Sequence, residues 1–402
     1  MATMEWIQSA AQYVIDNTRH VIETFGPRDP GSDGERQAQE HVLQEIKEYA
    51  DETHLESFQL APKAFMGFMP VTGSLLIISM LLFAFFPLLA FIAAALGASV
   101  AVSEFLLYRQ VLDPFFPKRT SHNVYAIRRA SGEAKRRIIV SGHIDAAYEM
   151  RYNLMGRWVL LIVSAWAIGG VLYLVVLNLT NVVLGATMEL HIPQLWHTLE
   201  WLQLAFLPSS ILALFYTRFS VVAPGANDNL TGVFTATALL KHLHESGIRF
   251  DNTEVWCLSA GSEEGGLRGA KAFVKKHADE LTALPTAVIV LDTFRDTEHL
   301  VVMNRDMNGL VRHDEKLCAL LQRAGAVHGI HLKYSTIYAG SSDATAFTQA
   351  GIPSAALVGM DPAPPRYYHT RLDHWNIMNA ECIERALIVT WEAVQRYAEN
   401  GL

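Results

Sequence analysis

Two kinds of hydrophobic pattern alternate along this 402-residue chain. Through most of it, short apolar runs of strand length alternate with stretches whose apolar positions recur at helical spacing. The N-terminal region reads as helices, with Ser32-Asp33 as a cap before Glu35 to Tyr49. Thr53 to Leu60 reads as a strand, and His122 to Arg128 and Arg137 to Ser141 read as paired strands. A helix from Asn229 to His244 opens after a Gly-Ala-Asn-Asp loop. Strands at Thr253 to Ser259, Ala287 to Leu291, Leu300 to Met303 and Ser354 to Val358 follow, separated by helical patterns such as Ala270 to Leu281 and Asp314 to Ala324. This rhythm predicts an α/β fold with a mixed β-sheet flanked by helices. In such sheets chemistry gathers beyond the carboxyl ends of the strands.

The second pattern interrupts the first twice. From Gly67 to Ser103 there is no charged residue, and Val71 to Val102 is dominated by Leu, Ile, Phe and Ala. That length predicts a helical hairpin turning near Phe86 and Pro87, each arm close to the lower limit for spanning a hydrocarbon core of about 30 Å. Trp158 to Leu177 and Trp201 to Thr217 form a second pair, the latter interrupted by Pro208, which transmembrane helices tolerate better than soluble ones. Buried core helices are usually amphipathic and shorter, whereas these segments are apolar all round. The expected layout is therefore about four transmembrane helices inserted as two hairpins, residues 67–108 and 154–219, into a catalytic domain made of residues 1–66, 109–153 and 220–402.

Charge placement orients the hairpins. Lys63, Arg109, Lys118, Arg119, Arg151, Arg157 and Arg218 flank their outer ends, and the links between paired helices lack Lys and Arg. By the positive-inside rule the links face away from the cytoplasm, and the catalytic domain and both termini stay in it. No charge sits mid-span, which suits an anchor better than an ion or substrate path.

Composition agrees: 51% hydrophobic with 18% charged residues is an unusual balance for a soluble protein. The net charge of -8 and pI near 6.0 exclude a broadly basic surface, and with it tight nucleic-acid binding. Cys257, Cys318 and Cys382 lie far apart with no CxxC spacing, as expected in a reducing compartment. The N-terminal Met-Ala-Thr-Met-Glu-Trp does not read as a secretory signal.

Ligand-type side chains stand where the strands end: His143 and Asp145, Asp228, Glu263 and Glu264, Asp292, and His369. Each alone is more often a cap or turn residue. Gathered at one sheet edge, such carboxylates would repel one another without a cation. Imidazole and carboxylate without thiolate suit zinc in a hydrolytic site, with cobalt or manganese as substitutes. Two ions fit the set. His143, Asp228 and Asp292 would hold one, and Asp228, Glu264 and His369 the other, with Asp228 bridging. On a strand, residues i and i+2 share a face, so Asp145 can fix the tautomer of His143. Glu263-Glu264 supplies adjacent acids, one to bind metal and one to take a proton from water.

At this point the residues resemble the co-catalytic zinc aminopeptidases of the aminopeptidase Y and bacterial leucyl aminopeptidase type. The resemblance rests on Ser-Gly-His-Ile-Asp at 141–145, Gly-Ala-Asn-Asp-Asn at 225–229, Ser-Glu-Glu-Gly at 262–265, Leu-Asp at 291–292 and Tyr-His-Thr at 368–370. Ser342-Asp343 with Phe347 and Gly351-Ile352-Pro353 is similar to a further family signature. It covers nearly all of the soluble part and implies a zinc exopeptidase-like phosphorylase/hydrolase fold. It also implies Glu263 as general base, Glu264 as a metal ligand, Asp228 as the bridge and a cis Asp228-Asn229 peptide. The implied reaction is removal of N-terminal residues from peptides with a free amine, by a metal-activated water.

Most members lack the hydrophobic insertions. The second hairpin leaves the chain shortly after Asp145 and returns shortly before Asp228, so the metal centre is expected near the membrane surface and hydrophobic peptides are expected to be favoured. Tyr338 and Arg295 lie on segments within reach of substrate, although a structural role is the commoner one for each. Paired hairpins pack between subunits as readily as within one, which leaves room for oligomers. Two rivals share the fold: a single-zinc glutaminyl cyclase-like acyltransferase and an inactive membrane scaffold or receptor. Ala344 and Tyr368 stand where cyclases tend to carry His and Trp, and the complete ligand set speaks against a dead site.

Overall fold

The computed structural model describes residues 2–187 and 193–402. The chain divides into two compact units: Met1–Pro62, Lys118–Tyr148 and Val221–Leu402 form one, and Lys63–Pro117 and Glu149–Ser220 form the other.

The first unit is built on nine strands: β1 (Glu52–Leu60), β2 (Arg119–Arg128), β3 (Arg136–His143), β4 (Thr253–Ala260), β5 (Thr286–Phe294), β6 (Leu300–Asp306), β7 (Val311–Arg312), β8 (Lys333–Thr336) and β9 (Ser354–Gly359). They make a mixed sheet in the order β1-β2-β4-β3-β5-β9-β6-β8, with β7 paired to β6. Strands β4, β3, β5 and β9 form a parallel block, bordered by antiparallel β2 on one side and β6 on the other. Register levels the carboxyl ends of this block, His143 lying opposite Ala260 and Val358 opposite Asp292.

Successive strand residues point to opposite faces, and each face has its own core. Val124, Ala126, Ile138, Val140, Val255 and Cys257 belong to one, and Tyr125, Ile127, Ile139, Trp256 and Leu258 to the other. The helices are α1 (Ala2–Phe25), α2 (Asp33–Ile46), α3 (Thr231–Glu245), α4 (Arg268–Lys276), α5 (Ala278–Ala283), α6 (Glu315–Ala326), α7 (Ala344–Gln349) and α8 (Ala380–Asn400). Val14, Val42, Phe234, Leu321 and Val394, from α1, α2, α3, α6 and α8, cover the first core, while Phe273 and Phe347, from α4 and α7, cover the second. Caps set helix starts: Ser32, Asp314 and Asn379 accept from Glu35, Leu317 and Glu381 amides. The helix expected over Ala270 to Leu281 is instead two, broken at His277, whose ring is held between Glu280 Oε2 at 2.9 Å and Glu56 Oε2 at 3.0 Å. All three cysteines are buried and free.

The second unit opens with helices Ala64–Leu82 and Pro87–Ala101, the latter continued by a π turn over Val102–Leu106. Their hairpin turns at 83–86. The Thr72 hydroxyl donates to the Gly97 carbonyl at 3.1 Å, an approach that Gly97, lacking a side chain, permits. Arg157–Thr187 is one 31-residue helix. The fourth expected span does not form a single helix. It breaks into Pro193–Leu202, a 3-10 turn Gln203–Phe206 and Leu207–Leu214, with Pro208 in the first turn of the last piece, where no amide donor is needed. Among the described residues three helices are therefore long and apolar enough to cross a membrane, Ala64–Leu82, Pro87–Leu106 and Arg157–Leu184, with Thr198–Leu214 shorter. The link of the second expected hairpin includes residues 188–192, outside the described residues.

Candidate metal centre

The sheet edge delivers the candidate ligands. His143 closes β3, and the preceding Gly142 lies so close to α3 that a side chain there would come within 2.5 Å of the Gly232 and Val233 backbone. His143 Nε2 stands 3.3 Å from Asp228 Oδ1, and His369 Nε2 stands 3.1 Å from Asp228 Oδ2. One carboxylate thus faces an imidazole with each oxygen. Glu264 Oε1 lies 3.0 Å from His369 Nε2, and Glu263 Oε2 lies 3.9 Å from His143 Nε2. Ligand atoms of His143, Asp228 and Glu264 all fall within 4.8 Å of one another.

Asp145 does more than expected of it. Its Oδ1 lies 3.3 Å from His143 Nδ1, and its two oxygens also accept the amides of Glu263 at 2.9 Å and Glu264 at 3.0 Å. One buried carboxylate therefore aligns the imidazole and both acids of the Glu263-Glu264 turn. Asp292, near the end of β5, accepts from the Thr293 hydroxyl at 2.9 Å and is felt electrostatically by Asp228 and Glu264. The structure thus brings His143, Asp145, Asp228, Glu263, Glu264 and His369 into direct contact and sets Asp292 beside them. Arg295 instead pairs with Asp296 at 2.6 Å, and Tyr338 is 80% exposed.

The Asp228 loop leaves Gly225 in the left-handed region at φ 63°, and the Asp228-Asn229 peptide is cis. Asn229 ties the loop to β5: its Nδ2 donates to the Leu291 carbonyl at 2.8 Å, and its Oδ1 accepts from Thr293 at 3.2 Å.

Three buried groups behind the ligands escaped the sequence reading. Asp373 accepts from the Asn227 amide at 3.0 Å, its side-chain amide at 2.7 Å and the Asp228 amide at 3.0 Å. Glu35 accepts from the Ser262 amide at 2.7 Å and hydroxyl at 2.8 Å, fixing the turn that presents Glu263. In sequence Ser32-x-x-Glu35 looks like an ordinary capping box, which conceals this role. Arg28 donates to the carbonyls of Ile144 at 2.9 Å, Pro224 at 2.8 Å and Gly225 at 3.1 Å, bridging the His143 and Asp228 loops. Tyr368, of the Tyr-His-Thr motif, stacks on the His369 ring at 3.8 Å.

The electrostatics are those of a crowded acidic pocket. Burial, with Asp228 adding to it, pushes Asp292 up to about 7. Burial opposes a charged His369, but Glu264 and Asp228 outweigh it and raise the ring to about 10. Burial and the surrounding carboxylates push the Tyr368 phenol well above its ordinary value, so it keeps its proton. Asp228 Oδ2, Glu264 Oε1 and His143 Nδ1 are buried, and the ring or carboxylate atoms that stand 3.0 to 3.3 Å from them are not aligned for good hydrogen bonds. Carboxylate oxygens and imidazole nitrogens gathered in one buried pocket, with no thiolate, are a donor set that fits a zinc ion.

The model of peptidase family M28 matches residues 214–394. The matched segment includes Asp228, Glu263, Glu264, Asp292 and His369, while His143 and Asp145 precede it. No curated protein sequence matches the chain. Solved structures share its fold. An aminopeptidase from Aneurinibacillus sp. strain AM-1 aligns with TM-score 0.57 at 15% identity, covering 98% of this chain and 95% of that one. A zinc aminopeptidase from Bacillus subtilis aligns with TM-score 0.58 at 13% identity, covering 96% and 95%. A glutaminyl cyclase from Fimbriiglobus ruber aligns with TM-score 0.56 at 13% identity, covering 96% and 94%. The mixed α/β architecture is that of the zinc exopeptidases.

Proposed function

We propose that the chain is a membrane-anchored zinc aminopeptidase that removes N-terminal residues from peptides. The observation that carries this reading is Asp228 facing His143 with one oxygen and His369 with the other, which is what a bridge between two ions requires. His143, Asp228 and Asp292 would hold one zinc, and Asp228, Glu264 and His369 the other. Zinc bound there would polarise the scissile carbonyl and make a water molecule acidic near neutral pH. Glu263, held by Asp145 and the Ser262 turn, takes the proton of the attacking water on its carboxylate and returns it to the leaving amine. Tyr368, neutral and beside the cluster, donates a hydrogen bond to the carbonyl oxygen as negative charge develops there. Asp145, Asp373, Glu35 and Arg28 touch no reacting atom; they hold those that do.

In this reading the three apolar helices anchor the enzyme, the catalytic unit lies on the cytoplasmic side, and hydrophobic peptides are favoured. Equal turnover of hydrophilic and hydrophobic peptides of one length, in micelles and nanodiscs, would remove that preference. The second reading, a glutaminyl cyclase, is kept because such enzymes share the fold. Peptides beginning with Leu or Gln, each free or N-acetylated, separate the two. Release of free leucine from the unblocked peptide alone supports the aminopeptidase, whereas ammonia release from the Gln peptide with leucine retained supports the cyclase.

A further inference from the structure

We propose that Asp343 is the group that receives the α-ammonium of the substrate, an assignment that rests on the aminopeptidase reading. Asp343 immediately precedes α7 and is 1% exposed, and neither of its carboxylate oxygens has a hydrogen-bond partner. The charges acting on it most strongly are those of His143, Asp145, Asp292 and Lys271, and it is itself among the charges acting on Glu263. Asp343 is therefore within electrostatic reach of the candidate ligands. Lys271 directs its ammonium to the Gly266 carbonyl at 3.0 Å.

Asp343 is also fixed in place. Asp306, fully buried, accepts from the Ser342 amide at 3.1 Å, the Ser342 hydroxyl at 2.5 Å and the Met307 amide at 2.6 Å. His313 lies between Asp306 at 3.3 Å and the Thr348 hydroxyl at 2.7 Å. Thr348 meets the Ser354 hydroxyl at 2.6 Å, and Ser354 donates to the Ala344 carbonyl at 2.7 Å. Residues on both sides of Asp343 are thus held by a buried polar chain, which fixes the backbone that carries its carboxylate. A carboxylate kept buried and unpartnered is costly, and the cost is recovered only when a donor or cation reaches it.

The chemistry of that cation follows from the surroundings. Among the described residues the ligand-type group that gathers around one point is His143, Asp228 and Glu264, and Asp343 is not part of it. A primary ammonium brings three N–H donors on one nitrogen and matches two open carboxylate oxygens. Bound to Asp343, it fixes how far the amine lies from the scissile carbonyl, so a peptide is cut after its first residue and not elsewhere.

The test compares leucyl p-nitroanilide with its des-amino analogue, 4-methylpentanoyl p-nitroanilide, on the full chain and on Asp343→Asn and Asp343→Glu. In parallel, calorimetry measures binding of leucine and of 4-methylpentanoate. For Asp343→Asn we expect KM for the leucyl substrate to rise about 10- to 100-fold, the value of one or two charge-assisted hydrogen bonds, with a much smaller change for the des-amino substrate, whose only link to Asp343 is through the charge on Glu263. Asp343→Glu should restore part of the preference. Loss of an unpaired buried charge should leave Tm unchanged or higher, whereas loss of a merely structural Asp would lower it. Equal losses on both substrates, or an intact preference for the amine in Asp343→Asn, would overturn the assignment while leaving the peptidase reading in place. If the parent cleaves neither anilide, the peptidase reading falls, and Asp343-dependent discrimination between leucine and 4-methylpentanoate still decides the assignment.

Discussion

Replacing Arg28 by Met should be among the most damaging single changes outside the ligand set. The guanidinium is 1% exposed and donates to three carbonyls belonging to the two loops that carry His143 and Asp228. Three buried acids, Asp145, Asp373 and Glu35, each raise its pKa against a larger lowering by burial, which leaves it at about 10 and so charged at neutral pH. Three hydrogen bonds to a charged group give a gross loss of about 4.5 to 9 kcal/mol, part of which returns because the guanidinium no longer has to be buried. Removing one partner from a buried charge cluster costs about 3 to 5 kcal/mol, the figure expected here. At about 2 to 4 °C per kcal/mol for a unit of this size, Tm should fall by roughly 6 to 20 °C. Lys keeps the charge without the planar fork and should lie between. Thermal unfolding followed by intrinsic fluorescence in detergent, with zinc affinity measured by dye competition, reads both effects. Zinc affinity should drop about 10- to 100-fold, as for other groups that orient ligands. Tm within about 1 °C of the parent and unchanged zinc affinity would refute the reasoning.

Zinc at a thousand times its dissociation constant should stabilise the protein by about 4 kcal/mol, so a chelator should lower Tm and added zinc restore it. Gly142→Ala should cost about 1 to 3 kcal/mol by overpacking β3 against α3, and denaturant titration would show it together with a loss of zinc affinity as His143 is displaced. Asp51, held by Arg249 at 2.7 Å through both oxygens, has its pKa lowered to about 2, first by that hydrogen bonding. A depressed carboxylate contributes stability that is complete above its unfolded value near 4 and lost as pH falls toward 2. With the pair about one-third exposed, solvent screening reduces its value to about 1 kcal/mol. Asp51→Asn should therefore be less stable than the parent at pH 7 and equal to it below pH 2.

The parts of the fold that were legible are those where burial is periodic. In β3 and β4 both faces are covered, so they appear as unbroken apolar runs bounded by polar residues. Strand β8 was not legible, because Lys333 and Tyr334 are exposed and Ser335 and Thr336 half-buried, leaving no alternation to read. The Trp201 to Thr217 segment is mostly apolar, and composition alone did not reveal that a 3-10 turn over Gln203–Phe206 interrupts its helix. In the site, residues that end strands could be found because strand ends are visible in the pattern. Arg28, Glu35 and Asp373 act from loops and a helix start, through backbone amides and carbonyls that any sequence possesses. Asp145 was assigned one task from its i to i+2 spacing, and its two bonds to the Glu263-Glu264 turn depend on parallel register between β3 and β4.

Zinc stoichiometry and turnover of an aminoacyl anilide, measured together on the parent and on Glu263→Gln, test the two-zinc aminopeptidase most directly. About two zinc ions per chain are expected in both proteins, with activity in the parent and a loss of at least about 100-fold in the variant. Undiminished turnover in Glu263→Gln, or a parent that carries two zinc ions and hydrolyses no substrate with a free amine, would contradict it.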